Sequence, residues 1–392
     1  MIDKVSVDAC TLCGGCRNAC PTDAISYARE HRGFAYPVID PDKCVGCDRC
    51  ERVCPVLAPE SRPQEGYPTA YAARTKDEEV RRTSTSGGVF YELASRVLDE
   101  GGKVCGAVFD EGFHVRHILS DRREDLARMM GSKYAQSDMG SCYREIKQAL
   151  AKGVTVLFSG CPCQVAGLRC FLGRDDPHLI LVELICHGVP SDSLLQAYIS
   201  LREKQYGAAL TRLEFRNKDL GWHRSAVKME FANGKVYREP GELDAYGHGF
   251  YGNITLKESC YHCRFRNFSA GGDIILGDLW GAEVSMPRAD DNKGLSALLV
   301  LSDKGQAPVE RLPLIMEPCE LDTVIRYNQS LVRSAEPSPL RETFYACAAE
   351  GGYAVAICKH LERGRLFRLK RHARYRLRCL WHALRGRDKP LY

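Results

Sequence analysis

No stretch of about eighteen consecutive apolar residues occurs in this 392-residue chain, so no membrane-spanning helix is expected. The start, Met1 to Asp8, has no basic segment leading into an apolar one, so nothing marks export. There is no Walker loop, no long G-x-G-x-x-G fingerprint and no Ser–His–Asp set. NTP hydrolysis, dinucleotide binding by that fingerprint and serine-type acyl transfer therefore lose their usual sequence support. Solenoid-type repeats are also absent. The hydrophobic fraction, 44%, is ordinary and supplies ample core for about two or three domains. Cysteine, by contrast, is abundant at 20 residues. Without an export signal, that number points to a reducing cytoplasm and to metal ligation rather than to disulfides.

Eight of those cysteines form two copies of one pattern. Cys10, Cys13, Cys16, Cys20 and Pro21 make the first, and Cys44, Cys47, Cys50, Cys54 and Pro55 the second. Each reads C-x2-C-x2-C-x3-C-P, the bacterial ferredoxin run for a 4Fe–4S cluster, in which the fourth cysteine ligates the other cluster. The expected ligand sets are Cys10, Cys13, Cys16 and Cys54 for one cluster, and Cys44, Cys47, Cys50 and Cys20 for its twin. Zinc sites use paired ligands rather than a repeated run of four, so single-electron transfer is the expected chemistry.

Charge is unevenly spread. Lys359 to Tyr392 holds twelve Lys and Arg against Glu362 and Asp388, a +10 tail on a body that is net acidic in a chain of net +5. The acidic body and the lack of base-stacking modules argue against nucleic acid as a partner. Leu366, Leu369, Ala373, Leu377, Leu380 and Leu384 fall on one helical stripe, with Trp381 beside it and basic residues around it. Such a helix suits an anionic membrane interface, and equally the protein's own acidic body.

Along the chain, residues 1–58 read as a two-cluster module with a hairpin between the runs. Residues 59–68, with Pro59, Pro63, Gly66 and Pro68, read as a linker. Residues 69–335 alternate strands and helices, with strands at Thr69–Arg74, Lys103–Phe109, Val154–Ser159, Leu179–Cys186, Thr211–Arg216, Ala226–Phe231, Lys235–Arg238, Asp273–Leu276 and Ala297–Leu301. Asn233-Gly234 is a hairpin turn. Residues 336–392 read as the basic amphipathic tail.

Within the body a series of motifs occurs in order: Thr85-Ser86-Gly87-Gly88, Gly131-Ser132-Lys133-Tyr134-Ala135-Gln136, Ser159-Gly160-Cys161-Pro162-Cys163-Gln164, Cys186-His187-Gly188-Val189-Pro190-Ser191, Phe215-Arg216-Asn217-Lys218 with Gly221-Trp222, Ser259-Cys260-Tyr261-His262-Cys263, and Gly277-Asp278-Leu279-Trp280-Gly281. This series resembles the family of beta subunits of coenzyme F420-reducing hydrogenase and F420-dependent formate dehydrogenase, in the bacterial branch that carries an N-terminal two-cluster module. The resemblance implies an α+β chain: a bacterial-ferredoxin-like domain followed by an α/β flavin-binding domain of the F420 hydrogenase/dehydrogenase beta subunit type. It also implies FAD and a further 4Fe–4S cluster. Carried onto this sequence, the FAD contacts would be Thr85, Ser86, Gly87, Gly88, Lys133, Tyr134, Gln136, Ser159, Gly160, Gln164, Asn217, Lys218 and Trp222. The third cluster would use Cys163, Cys186, Cys260 and Cys263. A pair plus two single cysteines also suits zinc, or simply buried thiols. Cys161 departs from the family's pattern and is a competing ligand, a reactive thiol or, most plainly, a buried small apolar residue.

Ser86-Gly87-Gly88 opens a helix, where free amides and the helix dipole suit a pyrophosphate; an ordinary capped turn is the plainer reading. Lys133 is a candidate to neutralise a flavin phosphate, and Tyr134 or Trp222 to stack on the ring, although surface lysine and core aromatic roles compete. Cys161, His187 and Lys218 are the catalytic candidates, and Asp278 a candidate to orient flavin or substrate.

The expected function is that of an iron–sulfur flavin oxidoreductase of the cytoplasm. It would convert single electrons, exchanged with ferredoxin or another redox protein, into hydride for a small-molecule acceptor, with coenzyme F420 a candidate. Two alternatives stand: an electron-transfer subunit without its own substrate, and a ferredoxin-driven disulfide reductase using Cys161. Peripheral contact of the tail with the inner face of the membrane is a further expectation.

Overall fold

The computed structural model describes residues 2–58 and 68–384; the expected linker lies almost wholly outside them. The chain opens with the hairpin β1 (Ile25–Arg29) and β2 (Ala35–Ile39), antiparallel and tied across Ile25–Ile39. Then come β3 (Thr69–Thr75), β4 (Lys103–Phe109), β5 (Val115–Ser120), β6 (Val156–Gly160) and β7 (Leu179–Leu184). A separate antiparallel sheet follows, made of β8 (Leu210–Asn217), β9 (Ala226–Phe231) and β10 (Val236–Pro240), with Gly234 at φ 79 in the turn. The chain then returns to the main sheet with β11 (Ile274–Asp278), β12 (Ser296–Val300) and β13 (Leu314–Pro318).

The main sheet has the order β13-β3-β12-β11-β7-β6-β4-β5. Its centre, β11-β7-β6-β4, is parallel and its flanks are antiparallel. The central strands bury both faces, which explains near-continuous runs such as Leu179–Val182. One face is covered by the helix Val89–Asp99, through Val89, Leu93, Ala94 and Val97, and the other by the helices Cys142–Ala151 and Pro162–Leu172. Parallel central strands aim their carboxyl ends in one direction, the usual place for a ligand in an open α/β sheet.

Two strands, β5 and β13, were not expected. Both are edge strands of the main sheet. Conversely, β7 stops at Leu184, two residues short of Cys186, which leaves the sheet. The tail is shorter than residues 336–392. The helix Arg341–Ala356 buries Phe344 and Tyr345 in the same core as Leu194 and Tyr198, so this stretch belongs to the body. Tyr198 and Tyr237 donate to the buried Asp244 carboxylate at 2.6 and 2.8 Å, while Arg202 pairs with Glu362 at 2.8 Å. Among the described residues, the helix Arg365–Leu384 is the element beyond that anchor.

The two-cluster module is seated on the body through Arg144. Its guanidinium donates to the Asn18 carbonyl at 2.7 Å, to the Arg17 and Cys20 carbonyls at 2.9 Å each, and to Asp23 at 2.7 Å. The three carbonyls lie at the C-terminal end of the short helix Gly15–Ala19, and Asp23 just beyond it. Charge-assisted bonds of this kind contribute roughly 1.5–3 kcal/mol each at most. Arg144→Ala is therefore expected to lower the apparent melting temperature and to hasten iron loss from the module, whereas the exposed control Lys152→Ala is expected to do neither. Thermal unfolding monitored beside iron-chelator release measures both.

Candidate functional site

The eight ferredoxin-run cysteines gather into two groups. Cys10, Cys13, Cys16 and Cys54 line one apolar recess with Leu12, Tyr27 and Val56. Cys20, Cys44, Cys47 and Cys50 line another with Ile25 and Ile39. The fourth cysteine of each run thus crosses to the other group, because the two runs and the hairpin are related by an approximate local symmetry. Burial pushes the Cys13 thiol well above its ordinary value and Cys16 up to about 12, and the neighbouring thiols push in the same direction. Thiolates crowded this closely need positive charge among them, which is what iron supplies. The groups differ in exposure. Cys47 is exposed and its neighbour Val45 is 64% exposed, whereas Cys13 is buried against the body. A Cβ at Gly167, in the helix Pro162–Leu172, would stand 2.8 Å from Cys13 Sγ.

That helix begins at a second collection of thiols. Cys161 and Cys163 stand at its N-terminus, Cys186 follows β7, and Cys260 and Cys263 come from the turn around Glu258–Tyr261. The Cys161 thiol donates to Cys186, which pulls Cys186 down to about 7 and pushes Cys161 well up. Burial holds Cys163 well up, reinforced by Cys186, Cys263, Cys260 and Cys13. The last of these belongs to the inner ferredoxin group. The thiols expected for a third site therefore do converge, and Cys161 joins them. Gln164 positions Cys161 by accepting its backbone N–H at 2.9 Å.

All five thiols line a cavity of about 760 Å³ at the carboxyl ends of β6, β7 and β11. The cavity extends to Thr85, Ser86 and Gly88, where the helix Val89–Asp99 starts at Gly88 (φ 88) with no side-chain cap. Lys133, Tyr134, Gln136, Ser159, Gly160, Gln164 and His187 line it as well. Four expected contacts do not. The Gly87 amide donates to Ser296 Oγ at 2.9 Å, and a Cβ at this position would collide with the Ala73 carbonyl. Asn217 donates to Glu214 at 2.6 Å. Lys218 donates to the Arg81, Ser86 and Lys293 carbonyls at 2.9, 2.7 and 2.8 Å. It braces the Ser86 turn from behind and does not line the cavity. Trp222 is fully buried, stacked at 5.2 Å on Trp280, and Trp280 is the ring that meets the cavity. Lys133 is at the wall, but its ammonium donates to the Met129, Met130 and Gly131 carbonyls, closing the helix Arg123–Met129. Burial pushes it down to about 7. His187 packs edge-on to Phe250 at 5.0 Å, and burial lowers it further.

Residue-by-residue reading missed Arg216, Arg266, Lys257, His117 and Asn328, all at the wall. Arg216 pairs with Asp278 at 2.7 Å and lies 5.0 Å over Trp280, while Trp222 Nε1 donates to the other Asp278 oxygen at 2.8 Å. Arg216 stands inside a motif that also supplied Asn217 and Lys218; its pairing with Asp278 across 62 residues was the missing signal. His117 bonds Ser137 Oγ at 2.7 Å, and burial holds it down to about 4, so it is neutral. Arg216 Nε and Nη2, Arg266 Nε, Gln136 Nε2 and Asn328 Nδ2 are buried without hydrogen-bond partners. Lys133, Arg216, Lys257, Arg266 and Arg326 face a single carboxylate, Asp278, among the lining residues. Buried donors and excess positive charge suit a ligand rich in acceptors and negative charge.

An α/β sheet with thiols at its carboxyl edge, wired to a two-cluster ferredoxin module, defines an iron–sulfur oxidoreductase. Residues 9–58 match the 4Fe-4S dicluster domain, residues 70–143 the N-terminal part and residues 153–317 the C-terminal part of the coenzyme F420 hydrogenase/dehydrogenase beta subunit. The chain belongs to that family and carries 4Fe–4S clusters in its first 58 residues. It is 24% identical over 298 residues to a subunit of the F(420)H(2) dehydrogenase of Methanosarcina mazei, covering 67% of this chain and 73% of that one. It is 28% identical over 173 residues to the coenzyme F420-dependent sulfite reductase of Methanocaldococcus jannaschii, covering 42% of this chain but 25% of that protein. A chain of the F420-reducing [NiFe] hydrogenase complex from Methanosarcina barkeri, in a xenon-derivatised structure, aligns with 75% of this chain and 96% of its own at 18% identity and a TM-score of 0.48.

The Cys13→Ala, Cys47→Ala double variant removes one ligand from each ferredoxin group. It is expected to lose about eight iron atoms per chain relative to the parent. Iron and acid-labile sulfide analysis of anaerobically purified protein measures this, and retention of full iron content would overturn the grouping.

Proposed function

We propose that the chain is an iron–sulfur flavoprotein in which a third 4Fe–4S cluster on the interior thiols links the inner ferredoxin cluster to FAD, for hydride exchange with a small acceptor. The observation that carries this reading is continuity: Cys13 abuts Gly167, the helix of Gly167 begins at Cys161 and Cys163, and these thiols open on the cavity that reaches Gly88. Cys163, Cys186, Cys260 and Cys263 are the ligands, with Cys161 the alternative to Cys163. FAD fits the cavity's buried donors and positive charge. When bound, a flavin supplies the exchange between one-electron and two-electron chemistry.

The chain's own residues do the rest. The uncapped start of the helix Val89–Asp99 offers amides and its dipole to a pyrophosphate. Lys218 fixes the Ser86 turn that leads into it. Arg216, held by Asp278, presents two unpaired nitrogens to carbonyl or anionic oxygens. Tyr134, stacked on Phe250 at 4.3 Å, and Trp280 supply flat apolar surface and exclude water. Leu184 and Tyr251, 40% and 42% exposed, mark an open side through which a small acceptor reaches the interior, and this favours direct substrate turnover over a relay-only subunit. Coenzyme F420, named for the relatives, is the first acceptor to assay. Cys161 lies in the cavity wall among four other thiols, a setting that suits cluster ligation and makes the disulfide-reductase reading the lesser one. Ser86→Asp places a negative charge beside the pyrophosphate position and is expected to weaken FAD binding at least tenfold, with iron unchanged. Fluorescence of flavin released on denaturation measures it, and flavin-free parent protein after FAD reconstitution would end the proposal.

The tail supports peripheral attachment to an anionic membrane. No described helix is long and apolar enough to cross a membrane. The helix Arg365–Leu384 touches the body by its polar side, through Arg368 and His372 to Glu239 and Arg371 to Glu242. Leu366, Leu369 and Leu377, 74%, 63% and 65% exposed, lie on the opposite side, flanked by exposed Lys370 and Arg374. These three leucines do not pack on the body; the side chains of Leu380, Trp381 and Leu384 fall outside the described part. Truncation after Arg363 keeps the Arg202–Glu362 pair. It is expected to abolish low-salt co-sedimentation with phosphatidylserine-containing vesicles while preserving iron content; equal sedimentation of both forms would exclude membrane attachment through the tail.

A further inference from the structure

Lys257 is 2% exposed and lines the cavity beside Thr11, Leu12, Cys260 and Cys263. It belongs to the turn that carries Cys260, whose amide donates to the Lys257 carbonyl at 2.9 Å. Its side chain crosses to the ferredoxin module. The ammonium lies 5.0 Å over the Phe34 ring and 3.3 Å from the Ala35 carbonyl, at the start of β2. One long carbonyl contact and a ring leave a buried ammonium poorly compensated. Glu30 and Arg32, the charged groups nearby, pair with each other at 3.3 Å. The remaining negative partners within electrostatic reach are thiols of two different groups, Cys10 of the inner ferredoxin group and Cys260 of the interior group.

We propose that Lys257 is a positioning residue for electrons: its buried charge sits at the junction of the inner ferredoxin cluster and the third cluster and raises the reduction potential of both. Four thiolates give each cluster a negative charge, which one added electron increases. A cation fixed beside both clusters therefore stabilises their reduced forms more than their oxidised forms, and low local dielectric strengthens the effect. The outer cluster, on Cys20, Cys44, Cys47 and Cys50, lies in a separate recess that Lys257 does not line. The charge therefore shifts the balance of electron transfer from the outer cluster toward the junction. Arg266, whose Nη1 donates to the Cys186 carbonyl at 2.7 Å, lies on the interior group, whereas Lys257 faces thiols of both groups.

The inference rests on the third cluster only for its second half. The test is an EPR-monitored redox titration of anaerobically purified full-length protein, comparing the parent with K257M, K257Q and K257R. K257M and K257Q are expected to lower the midpoints of the junction clusters by a tenfold or greater change in reduction equilibrium, about 59 mV for one electron. The outer cluster should not move, and K257R should restore the parent values. Unchanged junction midpoints in both neutral variants would overturn the proposal, as would an equal shift of all clusters. Iron counting of the parent separates the two readings: about eight atoms instead of about twelve would remove the third cluster, and the inner cluster's midpoint would still test Lys257. If the neutral variants lose iron, the K257R midpoints decide. Parent values in an iron-replete K257R uphold the role of charge, and iron loss in K257R too assigns Lys257 to folding and overturns the proposal.

Discussion

Everything in this molecule follows from how closely the ferredoxin module approaches the helix Pro162–Leu172. Electron exchange between centres depends on short separation through packed protein, and a side chain at residue 167 would hold the two apart. A Cβ there would also press on Tyr143 Oη at 3.1 Å, and Tyr143 donates in turn to the Gln164 carbonyl at 2.6 Å. The same helix that receives Cys13 on its flank presents Cys161 and Cys163 at its start. One rigid element thereby sets the spacing of two groups of thiols, and the parallel strands β6 and β7 set where that element begins.

The second organising feature is the sign of the interior. Buried arginine and lysine are costly unless paired. Here Arg216 is paired and Lys133 and Lys218 are bonded to carbonyls, yet the cavity keeps a clear excess of positive charge. The unpartnered nitrogens of Arg216 and Arg266 at its wall suit an anionic, acceptor-rich molecule.

The two ferredoxin runs were legible because their ligands are local: four cysteines within eleven residues need no tertiary information to declare a cluster. Most strands and the main helices were legible for the same reason, since apolar runs and periodicity are local signals. Interior thiols scattered from Cys161 to Cys263 were legible only as an ordered series of motifs, because the sheet rather than the sequence brings them together. Aromatic identity did not reveal which tryptophan faces the cavity. Trp222 and Trp280 stack on each other, and only packing decides that the second is the outer one. Lys218, expected at the cofactor site only through its place in a motif, instead bonds the carbonyl of the Ser86 turn, a contact no local pattern signals. Lys257 carries no sequence signal at all, because its significance comes from lying between two elements 222 residues apart.

The exposure of Cys47 has a consequence for how the molecule ages in air. Oxidants attack sulfur where solvent reaches it, so the outer recess is the first to be damaged. On the proposed route, its loss would separate the interior from one-electron donors before the less exposed thiols around Cys163 and Cys186 are touched. Aerobic handling therefore produces a graded series: the intact protein first, then one missing its surface terminal with its interior preserved, and only later one stripped throughout.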